Sequence, residues 1–321
     1  MGMPKTLLEA VMHFSKPENC REYLVARRWP KGVSCPQCGS KTVYFDAARN
    51  GWECATRHPK RKFTLKTGTI FEDSPLGLDK WLPVVWMMAN SKNGVSSWEV
   101  SRSIGVTQKT AWFMLQRIRL ALQDDTNGGG KLGGEIEVDE TYIGGKARHM
   151  NRTRRAKMPK TAWGGKVVVM GLLERRDSDG PSKVRTRIVE GTKRGHLVGT
   201  MKENIELGSK VFSDALPTYS SMSHLFQHQF VDHATTYVDG VVHTNGMENY
   251  WSLLKRTLGG TYISVEPFHL FRYLDEQAFR FNERHNSDAG RFDLAIRGIV
   301  GKRLTYDALI AKNEKPPSPA S

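Results

Sequence analysis

The placement of the cysteines constrains this chain more than any other feature. All four, Cys20, Cys35, Cys38 and Cys54, lie near the start of a 321-residue sequence. Such clustering fits a local metal site in a reducing compartment better than a disulfide framework. Cys35-Pro-Gln-Cys38-Gly39 is a knuckle: two thiolates two residues apart, and a glycine that lets backbone amides approach the sulfurs. Cys54 follows, with His58 four positions beyond it. Zinc takes four thiolate or imidazole ligands in a tetrahedron, and Cys35, Cys38, Cys54 and His58 supply them. Four protein ligands leave no open position, so the one Zn2+ is expected to be structural. A second Cys-x-x-Cys is the commoner ending of such a site, which leaves His58 the most open member. Cys20 falls outside the spacing and reads as a core thiol.

Charge narrows the partner. Hydrophobic content of 39% and charged content of 25% are those of an ordinary globular protein, but a net charge of +15 and a pI near 9.7 are not. A chain this basic is expected to meet a polyanion, nucleic acid first. No apolar run reaches the length of a membrane span, and the N-terminus lacks the apolar stretch of a signal peptide. No membrane partner is expected, and the location expected is the cytoplasm.

The length predicts two or three domains. Residues 1–28 read as an amphipathic helix broken near Lys16-Pro17, and residues 29–67 as a zinc ribbon of short β pieces. Residues 68–126 turn helical. Within them Ser97 to Trp112 resembles a helix-turn-helix, a short helix ending at Ile104-Gly105 and Thr107 capping the next. On that second helix Gln108, Lys109, Trp112 and Gln116 remain for a DNA groove. A glycine-rich linker spans 127–134, and residues 135–290 alternate strand and helix, an α/β pattern with a mixed sheet. Residues 291–321 read as a C-terminal tail. Between the first two strands, Lys146 to Lys160 holds seven Lys or Arg and no acid. Arg152, Arg154 and Arg155 are the cations expected to clamp DNA phosphates there.

Three carboxylates carry the chemistry. Asp139 lies in the strand-like Glu-Ile-Glu-Val-Asp-Glu-Thr-Tyr, and Asp214 ends Lys-Val-Phe-Ser-Asp. Glu248 lies in His243-Thr-Asn-Gly-Met-Glu-Asn-Tyr-Trp-Ser-Leu-Leu-Lys-Arg256, whose helical spacing gives Glu248, Ser252 and Lys255 one face. Phosphodiester cleavage needs an activated oxygen and relief of charge on phosphorus, which two Mg2+ (or Mn2+) ions held by separate carboxylates provide. Glu137, on the same strand face, and Glu140, on the other, compete with Asp139. Asp214 has the alternative of capping a helix.

The chain resembles the zinc-ribbon insertion-sequence transposases, the ISXO-like group of the DDE superfamily, from about Phe14 to Arg284. The matching pieces are Cys-Pro-Gln-Cys-Gly, Lys66-Thr-Gly-Thr-Ile-Phe71, Val138-Asp-Glu-Thr-Tyr-Ile-Gly-Gly145, His243-Thr-Asn, Glu248-Asn-Tyr-Trp-Ser-Leu-Leu-Lys255 and Tyr273-Leu-Asp-Glu. The resemblance implies a ribonuclease H-like catalytic domain with Asp139, Asp214 and Glu248 as metal ligands. It implies a DNA contact for Lys255, and the group's variable third acid makes Asn245 a rival to Glu248. Cys54-Ala-Thr-Arg-His58 departs from the group's usual second Cys-x-x-Cys. The implied activity is metal-dependent cleavage at element ends and transfer of their 3′-OH groups to target DNA, in a bacterial cytoplasm or on its nucleoid, by a homodimer or larger oligomer. The alternatives are a related nuclease without strand transfer and a DNA-binding regulator without catalysis.

Overall fold

The computed structural model describes residues 3–123, 130–144, 152, 166–175, 180–214, 225–231 and 243–310. The chain divides into two units, Met1–Asn127 with Asn286–Ser321, and Gly128–His285. The first begins with α1 (Leu7–Phe14) and α2 (Pro17–Arg28), separated at the expected break. Pro17 occupies the first helical turn, where its missing N–H leaves no bond unmade. The strands β1 (Val43–Asp46), β2 (Gly51–Cys54) and β3 (Lys62–Phe63) form an antiparallel ribbon. Its last strand is short, because the chain turns at Thr64, whose N–H donates to Thr67 Oγ1 at 3.0 Å. Then come α3 (Leu78–Asn90), α4 (Ser97–Ile104) and α5 (Gln108–Ala121). Ser96 and Glu99 cap each other at the start of α4, Gly105 ends it with a left-handed backbone, and Thr107 Oγ1 accepts from Thr110 N at 3.2 Å to start α5.

The second unit is mixed α/β. In chain order it holds β4 (Glu135–Ile143), β5 (Val167–Glu174), β6 (Lys183–Val189), α6 (Arg194–Asn204), β7 (Lys210–Asp214), β8 (Gln227–Val231), α7 (Asn245–Gly260), a 3-10 turn at Pro267–His269 and α8 (Leu270–Asn282). The sheet order is β6-β5-β4-β7-β8; β4, β5 and β6 are antiparallel, while β7 runs parallel to β4 and β8 parallel to β7. Strand alternation sorts the two faces. Ile136, Val138, Val168, Met170 and Val211 pack with Leu197 and Met201 of α6. Val169, Leu173 and Val184 pack on the other face with Met247, Trp251 and Leu254 of α7 and Leu274 of α8. Glu137 and Asp139 share that second face. The linker expected over 127–134 ends inside this unit: Leu132 is buried, and its N–H donates to Asn204 O at 2.9 Å.

The chain then returns to the first unit, where the sequence reading expects only a tail. Residues 288–297 instead form α9 (Asp288–Arg297), followed by the short α10 (Tyr306–Leu309). Phe292 of α9 is fully buried, with ring centroids 5.5 Å from Phe14, 5.5 Å from Tyr23 and 5.1 Å from Trp86. Burying such a ring stabilises by roughly 1.5–3 kcal/mol, which explains why this stretch does not stay in solvent. Beside it, Asp293 accepts hydrogen bonds from Tyr23 and Arg27 and pairs with Arg297 at 2.8 Å. Burial raises the Asp293 pKa, but the bonds from Arg27 and Tyr23 outweigh it and hold the carboxyl below its ordinary value. A folded pKa that is lowered contributes stability above the unfolded pKa and loses it as the pH falls through the folded value. Asp293→Asn should therefore destabilise this unit by about 1–2 kcal/mol at neutral pH, allowing for solvent screening at the exposed arginines. The difference from wild type should vanish in acid melts, and a gap that persists at low pH contradicts this account.

Candidate active site and zinc centre

The zinc ligands come from a loop, a strand end and the turn after it. Cys35 and Cys38 flank the tight turn closed by Gly39 N donating to Cys35 O at 2.8 Å; Cys54 ends β2. The ligand atoms of Cys35, Cys38, Cys54 and His58 all lie within 4.8 Å of one another. Cys35 Sγ is 3.3 Å from His58 Nε2, and Cys38 Sγ is 3.6 Å from Cys54 Sγ. A tetrahedron with metal–sulfur bonds near 2.3 Å has edges of about 3.8 Å, so this Cys3His set fits a zinc ion. Burial works to raise the Cys54 pKa, but hydrogen bonds from His58 and Cys38 bring it down to about 6, the thiolate form that a metal requires. The ribbon's apolar support is small: Trp29, Trp52 and Phe63, with centroids 5.5–6.2 Å apart. Cys20 stands apart as a core thiol, donating to Phe14 O, and burial pushes its pKa up to about 12.

The carboxylate site is built on β4, β7 and α7. Val138 of β4 is the register partner of Ser213 of β7, so Asp139 and Asp214 are the next residues along two parallel neighbouring strands. Adjacent strands lie about 4.8 Å apart. Of Asp214 only the backbone lies within the described residues. Helix α7 crosses β4, and the indole N–H of Trp251 donates to Asp139 Oδ2 at 2.9 Å. Glu248 and Asn245 lie one and two turns before Trp251 and are exposed, as is Lys255 one turn after it.

Glu137 takes a different part from Asp139. It is 2% exposed, and its carboxylate accepts from Met247 N at 2.9 Å, at the start of α7, and from Arg175 Nε at 2.9 Å. His243 Nδ1 lies 3.4 Å from it, and Arg175 also donates to His243 O at 2.6 Å. Arg175 stacks over Phe212 of β7, 4.1 Å from the ring centre. A buried anion thus meets the positive end of a helix and a guanidinium, which fixes where α7 starts. Two glycines admit the helix this close. A Cβ on Gly246 would lie 2.8 Å from Glu137 Oε2, and one on Gly171, the register partner of Asp139, would collide with Met247 and come within 2.6 Å of the Trp251 ring.

Sequence reasoning left out Trp251 and Arg175 as site residues and weighed Glu137 only as a rival ligand. The available signal was Gly171, a lone glycine inside an apolar strand, the usual mark of a close approach.

The DNA-binding candidates fare unequally. Lys109 is exposed, its ammonium 4.7 Å from the centre of the Tyr306 ring; Gln108 donates to Ser97 Oγ at 2.8 Å; Trp112 is half-buried. Gln116 is a correction. It is fully buried, because residues 114–119 of α5 are buried on every side, and it cannot reach a groove. Of the basic segment, Arg152 is exposed, whereas Arg154 and Arg155 lie outside the described residues. Among the described residues no helix is long and apolar enough to cross a membrane.

With this geometry in hand, comparison with known proteins is specific. Residues 131–282 match the ISXO2-like transposase domain, and residues 16–56 match the transposase zinc-ribbon domain. The two matches together make the chain similar to the zinc-ribbon insertion-sequence transposases, a family that acts on DNA. It is 27% identical over 259 residues, 76% of this chain and 84% of the relative, to an uncharacterized protein in transposable element ISH50 of Halobacterium salinarum. It is 28% identical over 101 residues, 31% of this chain and 81% of the relative, to an uncharacterized transposase-like protein of Haemophilus influenzae.

Metal removal tests the ribbon. In structural zinc sites of this size, binding free energy is folding free energy. The chain should purify with one zinc ion, and a chelator should quench or shift the Trp29 and Trp52 fluorescence while leaving the sheet unit folded. Zinc retained at full occupancy by Cys35→Ser with Cys38→Ser would contradict the assigned ligands.

Proposed function

We propose that this chain cleaves DNA at the ends of its element and joins the 3′-OH groups to target DNA, using Asp139, Asp214 and Glu248 to hold two Mg2+ (or Mn2+) ions. The observation that carries this reading is that Asp139 and Asp214 directly follow the register partners Val138 and Ser213 on two neighbouring parallel strands, with the helix that bears Glu248 packed on the strand of Asp139. Two hard cations need oxygen ligands from separate elements, and two strands and a helix offer them. The mixed sheet with helices on both faces supports a ribonuclease H-like reading of residues 135–290. Glu137 is the poorer ligand candidate, since its oxygens already serve Arg175 and the α7 amide.

Bound there, the ions would activate the attacking oxygen, water first and a DNA 3′-OH second, and offset charge on the phosphorus. The chain's own residues do the rest. Trp251 N–H orients the Asp139 carboxylate, and Lys255, two turns beyond Glu248, neutralises a phosphate of the bound strand. In the first unit α4 and α5 act as a helix-turn-helix that presents Gln108 and Lys109 to the major groove; base contacts at the start of the second helix suit that motif. Arg152, Arg154 and Arg155 add phosphate contacts. Handling two element ends calls for at least a dimer.

Asp139→Asn and Asp214→Asn should each lower Mg2+-dependent nicking of a terminal-repeat duplex by more than about a hundredfold. Binding of that duplex should change little. Glu248→Gln should match them, and Asn245→Ala should retain activity. Wild-type cleavage by either Asp variant sinks the triad, and the reverse result for the last two moves the third ligand to Asn245. Nicking without joined product would make the chain a nuclease, and binding without either would make it a regulator.

A further inference from the structure

Three non-glycine residues among those described have a left-handed backbone: Asn50, Asp73 and Ile263. Asparagine and aspartate tolerate that conformation; a β-branched residue does not. Ile263, φ +61°, sits just past the end of α7, where Ser264 N donates to Tyr262 O at 2.6 Å and closes a three-residue turn around it. Turns of this hand are rare and strained. No burial offsets the strain, because Ile263 is 82% exposed, more than any other large hydrophobic described.

What imposes the turn lies beneath it. The Tyr262 hydroxyl donates to Glu276, which is fully buried and ion-paired with Arg280 one turn along α8. Gln277 accepts from Arg280 at 2.9 Å and from Thr257 of α7 at 3.3 Å, and Tyr262 N donates to Thr257 O. The end of α7, the turn and α8 are thereby tied through buried charge, a rigid base for a projecting apolar tip.

We propose that Ile263 is a wedge that enters a base step of duplex DNA and unstacks it, an inference that rests on the transposase reading above. A single stiff apolar side chain is too small for a protein interface but matches the gap opened between two base pairs, and isoleucine is one of the residues used that way. The last two turns of α7 carry Lys255 and Arg256, both exposed, which suit phosphates on either side of such a step. The strain has a use in this setting: it holds the tip clear of the surface before DNA arrives.

The test uses the full chain, Ca2+ to hold off cleavage, and terminal-repeat duplexes carrying 2-aminopurine at successive positions. Wild type should raise the fluorescence severalfold at one position. Ile263→Gly should abolish that rise while affinity falls by less than about tenfold, since phosphate contacts dominate binding. Its melting temperature should stay level or increase, because glycine accepts the left-handed backbone without strain; a merely structural role would lower it. Ile263→Met should keep the rise. An equal rise with Ile263→Gly, or no rise at any position for bound wild type that cleaves in Mg2+, overturns the wedge and leaves the transposase reading standing. Failure of wild type to bind or cleave overturns both.

Discussion

The second unit depends on how closely one helix can lie on one sheet. Helix α7 approaches β4 and β5 at a point where Gly171 gives up its side chain, so that Met247 and the Trp251 ring fill the notch. Its N-terminus is held by Glu137, a buried carboxylate that meets the helix's positive end and Arg175 together. A buried anion that lost either partner would be strongly unfavourable, so the contact is both tight and specific. Trp251 then carries that placement to Asp139 through a single hydrogen bond. A shift of this helix by a fraction of an ångström would move Glu248, Lys255 and the orientation of Asp139 together.

The two units solve the problem of stability differently. In the second unit a five-stranded sheet is covered on both faces, and apolar burial suffices. The ribbon has three short strands and a few aromatic rings, too little for a core, and the Cys3His group supplies what packing does not. The helical part closes on Phe292, which arrives from far along the sequence to complete a cluster with Phe14, Tyr23 and Trp86.

Local signals were legible and long-range ones were not. The Lys16-Pro17 break, the Thr107 cap, the strand at Glu135 and the zinc spacing all follow from short stretches, and the structure has each of them. Helix α9 was hidden because the partners of Phe292 lie some two hundred residues or more away in sequence. Gln116 was misread because amphipathic spacing assumes one solvent face, and the second half of α5 has none. Glu137 and Asp139 look alike from strand alternation; only the position of α7 and Arg175 gives them separate tasks.

The central claim, that Asp139, Asp214 and Glu248 form one metal site, can be tested without DNA. Fe2+ substituted for Mg2+ generates hydroxyl radicals with ascorbate and peroxide, and these cut the polypeptide within a few ångströms of the bound ion. The cuts should fall near Asp139 in β4, Asp214 in β7 and Glu248 in α7, all three fading together as Mg2+ competes. Cuts at only one of these elements, or none outside the ribbon, would contradict a shared site.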